Sequence, residues 1–89
     1  MAYTQMSVAD QTTFARIIRQ VGAAPWVPFD ATAAEQLAQI AVNVGYVATT
    51  GDFMLKIKDK PTAVLLELIV YAAGNVTLEP GFDWSPFYS

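Results

Sequence analysis

Eighty-nine residues make one domain, spanning 1–89, because chains divide into separate cores only well above that size. The chain is 54% apolar and 15% charged and has neither cysteine nor histidine, which excludes disulfides, thiolate or imidazole metal sites and histidine-based catalysis. Five basic and eight acidic residues leave a net charge of −3, without the basic footprint of a nucleic-acid binder and too weak for a DNA mimic.

Residues 1–6 have no apolar period and read as an N-terminal arm. Ser7 is an N-cap, with Asp10 placed where the helix dipole favours negative charge. Phe14, Ile17, Ile18 and Val21 recur at i, i+3, i+4, i+7, which predicts a helix over 8–21 with Gly22 as its stop. Pro25 and Pro28 forbid regular structure from Ala23 to Phe29, and Trp26 and Phe29 make that loop aromatic enough to need a surface to lie on. Thr32 and Glu35 fit a capping box opening a second helix, whose stripe is Leu37, Ile40, Ala41 and Val44.

Two continuations of that helix compete. It runs to Thr49 with Gly51 as cap, or Gly45 ends it and residues 46–58 form a hairpin turning at Gly51-Asp52. A short helix capped by Asp52 and bearing Phe53, Met54 and Ile57 is preferred over the hairpin strand. Pro61 suits the first turn of a third helix over 62–73, apolar nearly all round and therefore expected to be central and buried on most sides. Gly74 is expected to stop it, and Pro80-Gly81 to turn the chain. The C-terminal arm, 79–89, carries Phe82, Trp84, Phe87 and Tyr88, far too aromatic for a disordered tail.

The fold class expected is mainly α: a small three- or four-helix domain with extended N- and C-terminal arms, the alternative being α+β with a hairpin at 46–58. The longest apolar run, Ala63 to Ala73, is interrupted by Glu67 and falls short of the ~20 residues a membrane-spanning helix needs. Met1 to Ser7 has no signal-peptide character, so a cytoplasmic location is expected, or a virion if the protein is viral.

Chemistry is scarce. Ser7, Ser85 and Ser89 sit in caps or tails, the carboxylates show no catalytic spacing, and the five glycines are too scattered for a phosphate loop. Lys56, Lys58 and Lys60 form a small basic cluster that reads as a solvated face. Asn75-Val76-Thr77 matches a glycosylation pattern by chance. Glu67 stands alone in the apolar helix, with Tyr71 one turn on as a possible hydroxyl donor; it either sets register at a subunit interface or faces water.

A sphere this small has too much surface to hide so much apolar content, and exposed apolar patches mark partner surfaces. The expectation is therefore a non-enzymatic structural or assembly subunit without cofactor or metal, a homo-oligomer or part of a larger assembly. A small virion component (a phage head, neck, tail or capsid decoration protein) is its specific form. The alternatives are a small inhibitory protein that blocks a host protein complex, and a small-molecule or lipid-binding domain. The expected interaction residues are Trp26, Phe29, Glu67, Phe82, Trp84, Phe87 and Tyr88. Deleting 82–89 is expected to abolish assembly while leaving helicity nearly unchanged.

Overall fold

The computed structural model describes residues 3–21, 30–54, 61–76, 81–82 and 84–87, the side chains of Val21 and Pro86 excepted. Three α-helices carry it: α1, Val8–Val21; α2, Ala31–Asn43; and α3, Ala63–Asn75. Short 3₁₀ turns at Thr50–Phe53 and Ser85–Phe87 complete the regular structure, and the described residues include no strand. The protein is mainly helical, and no helix among the described residues is long and apolar enough to cross a membrane. Its radius of gyration of 11.9 Å matches the roughly 12 Å expected of a compact chain this long.

Each helix begins where a short polar side chain replaces a missing intrahelical partner. Ser7 Oγ accepts from the Asp10 amide at 3.1 Å, and Asp10 lies in the first turn of α1. For α2 the expected cap is displaced: Asp30, not Thr32, is the N-cap, its carboxylate accepting from the Ala33 amide at 2.7 Å. Both residues are good caps two positions apart. The extended backbone at Asp30 (φ −73°, ψ 165°) starts the helix earlier, and Thr32 falls inside the first turn. The pattern in which a carboxylate reaches back to the N-cap amide occurs instead at Thr49, whose N–H donates to Asp52 at 2.7 Å and begins the Thr50–Phe53 turn. Asp52 is thus the third residue of that turn and not its cap, while Ile57 lies outside the described residues.

Gly45, not Gly51, ends α2. Its φ of +88° is the left-handed geometry that glycine adopts without a Cβ clash. The Gly45 N–H reaches back to the Val42 carbonyl at 3.0 Å and the Tyr46 N–H to the Ala41 carbonyl at 2.7 Å, the paired bonds of a Schellman end. Tyr46–Met54 contains no strand, which removes the hairpin's first half; residues 55–58 lie outside those described.

Two boundaries of α3 also differ from the sequence expectation. Thr62 is the N-cap, accepting from the Leu65 amide at 3.1 Å, so Pro61 precedes the helix rather than opening its first turn. The same hydroxyl donates to the Asp52 carbonyl at 2.6 Å and ties the 3₁₀ turn to α3. Gly74 does not stop the helix, which continues to Asn75 before the chain extends at Val76. Gly45 and Gly74 therefore respond oppositely to alanine. Both have open space around a would-be Cβ, but only Gly45 has positive φ. Gly45→Ala should cost about 1–2 kcal/mol, whereas Gly74→Ala should gain about 0.4–1 kcal/mol. Paired thermal melts check this, and a stabilised Gly45→Ala protein contradicts the Schellman end.

One dry core joins these elements. Phe14, Ile17 and Ile18 of α1, Leu37, Ile40 and Ala41 of α2, and Leu65, Leu68, Ile69 and Ala72 of α3 are buried around Phe53 and Val44. The described residues include no buried polar side chain. α3 is not buried on most sides. It sinks the row 65, 68, 69, 72 and leaves Ala63, Glu67, Val70 and Ala73 exposed.

The described residues of the two expected arms pack on the body. Met6 is 2% exposed and Phe87 1% exposed, and both belong to the core, with Tyr3, Phe82 and Trp84 packed against it. Among the described residues most of the large apolar side chains are at least partly covered, and the exposed large hydrophobics are Val8, Val42, Val47, Met54 and Val70. Gly22, the 23–29 loop and the lysine cluster lie outside the described residues, as does Thr77.

Candidate interaction surface

The richest side-chain constellation gathers around Glu67. Local chemistry brings each member in. The Schellman end at Gly45 reverses the chain and delivers Tyr46. The segment before α1 crosses the end of α2, held by the Thr4 N–H donating to the Val44 carbonyl at 3.0 Å, and this positions Tyr3. Glu67 and Tyr71 come from one side of α3, one turn apart.

Tyr3 sits at the centre. Its ring meets Tyr46 edge-on at 5.6 Å between centroids and 85°, and Tyr71 at 5.5 Å and 86°. Such T-shaped pairs place the positive edge of one ring on the negative face of another. The Tyr3 hydroxyl donates to Glu67 Oε1 at 2.7 Å, and the Tyr71 hydroxyl donates to the Thr4 carbonyl at 2.6 Å. The hydroxyl expected from Tyr71 thus comes from Tyr3, 64 residues away in the chain, while Tyr71 pins the backbone that carries Tyr3. Glu67 is exposed on this chain, with its carboxylate bonded at the rim of a ring cluster.

The carboxylate leaves an electrostatic mark. The hydrogen bond to Glu67, aided by partial desolvation and by the charge itself, pushes the Tyr3 phenol up from 10.0 to about 12. Tyr46 is raised too, chiefly by desolvation and then by Glu67. The neutral phenol is the form that donates, so its contribution to stability is complete below pH 10 and is lost as pH rises through about 12. Tyrosinate absorbance should therefore show a late step near pH 12 that Glu67→Gln moves down toward 10 and Tyr3→Phe abolishes. An unshifted titration in Glu67→Gln would show that the carboxylate does not hold the phenol.

The aromatic C-terminus forms a second, separate group. Phe82 and Trp84 meet edge-to-face at 4.9 Å and 72°, and Trp84 lies 6.1 Å from Phe87 at a tilt of 54°. Phe82 and Trp84 are half-buried, while the Phe87 ring is enclosed by the protein's own core. Trp26, Phe29 and Tyr88 lie outside the described residues. Of the seven expected interaction residues, the structure places Phe82, Trp84 and Phe87 together and Glu67 in the tyrosine cluster.

Sequence reading passed over Tyr3 and Tyr46. Tyr46 carried a local signal, since a Schellman glycine is followed by a residue that packs back on the helix. Tyr3 carried none. Among the described residues, no three acidic side chains converge as a metal site would require.

Four of the exposed large hydrophobics are close in sequence to these contacts. Val8 is 80% exposed, Val42 52%, Val47 86% and Val70 54%. Each is within two residues, in sequence, of a contact that ties the first ten residues to α2, to α3 or to the segment after α2: Asp10 accepting from Asn43 at 2.9 Å, Tyr46 against Tyr3, and Tyr71 on Thr4. No family model, curated protein or solved structure matches this chain.

Proposed function

We propose that this chain is a non-enzymatic structural or assembly subunit of a larger protein complex, with a small virion component as its specific form. The supporting observation is the exposure of Val8, Val42, Val47 and Val70, four branched aliphatic side chains left in water on an otherwise well-packed body. Burying a valine that is otherwise exposed yields about 1.5 kcal/mol or more, so each one that a partner covers favours association. The burial of Met6 and Phe87 suits such a role, because a part that packs into an assembly benefits from having less of its chain to order on binding.

A second reading, a small inhibitory protein that binds one host complex, draws on a different observation. The large rings of Phe14, Phe53 and Phe87 are inside the core, as in a self-sufficient monomer. Light scattering on purified protein separates the two. The assembly reading expects a mass several times 9.7 kDa, reduced toward 9.7 kDa by Val47→Asp combined with Val70→Asp, with unchanged helicity. A single 9.7 kDa species at all accessible concentrations removes self-assembly and favours the inhibitor.

A further inference from the structure

We draw no further inference here: the strongest candidate, the set of exposed valine side chains on the surface of the helical domain at Val8, Val42, Val47 and Val70, already supports the proposed assembly role, and nothing in the structure shows what covers them.

Discussion

Phe87→Ala is expected to destabilise the domain by about 3–5 kcal/mol, the usual range for emptying a buried phenylalanine site. Its ring is 1% exposed and belongs to the same core as Phe14, Phe53 and Leu68. The 3₁₀ turn at Ser85–Phe87, closed by the Phe87 N–H donating to the Trp84 carbonyl at 3.0 Å, aims it there. For a domain of 89 residues the total stability is of order 4–13 kcal/mol, so this single truncation removes much of it. Urea denaturation followed by far-ultraviolet circular dichroism should show a midpoint lower by about 2–3 M at the slope usual for small domains. An unchanged midpoint would mean that the C-terminal turn is not docked. The same geometry revises the effect expected of deleting 82–89. That deletion uncovers the core face under Phe87, so helicity should fall together with any assembly instead of persisting without it.

At the other end of the chain, Met6→Ala should cost about 2–5 kcal/mol. Met6 is 2% exposed and directly precedes the N-cap Ser7, and its carbonyl accepts from Gln11 Nε2 at 3.0 Å. Removing its side chain opens a gap in the core and frees the angle at which the chain enters α1. The Tyr3 packing and the Thr4–Val44 bond depend on that angle. Val8→Ala, two residues on and 80% exposed, should stay within about 0.5 kcal/mol. Equal, small effects from both substitutions would return residues 3–7 to the status of a loose arm.

The candidate surface was only partly legible. Glu67 stood out because one charge in an apolar helix has to be accommodated somewhere, and it does anchor the cluster. Its partner was misassigned because the i, i+4 rule favours Tyr71, and no local rule brings residue 3 to residue 67. The cap of α2 was misplaced for a smaller reason. Asp30 and Thr32 differ little in intrinsic preference, and the geometry with which the chain enters the helix decides between them.

What the amino-acid sequence determined by itself was the helical class and the position of all three helices. The apolar spacing of Phe14, Ile17, Ile18, Leu37, Ile40 and Ala41 follows the 3.6-residue turn, and that signal is local. Only tertiary structure decided which face of α3 is buried, since Val64, Leu66, Leu68 and Val70 are nearly alike in hydrophobicity and no period singles out 65, 68, 69 and 72. It also decided that Phe87 and Met6 turn inward. Burying a side chain depends on whether the rest of the chain leaves a cavity of its shape, and that is a property of the packed whole rather than of any segment.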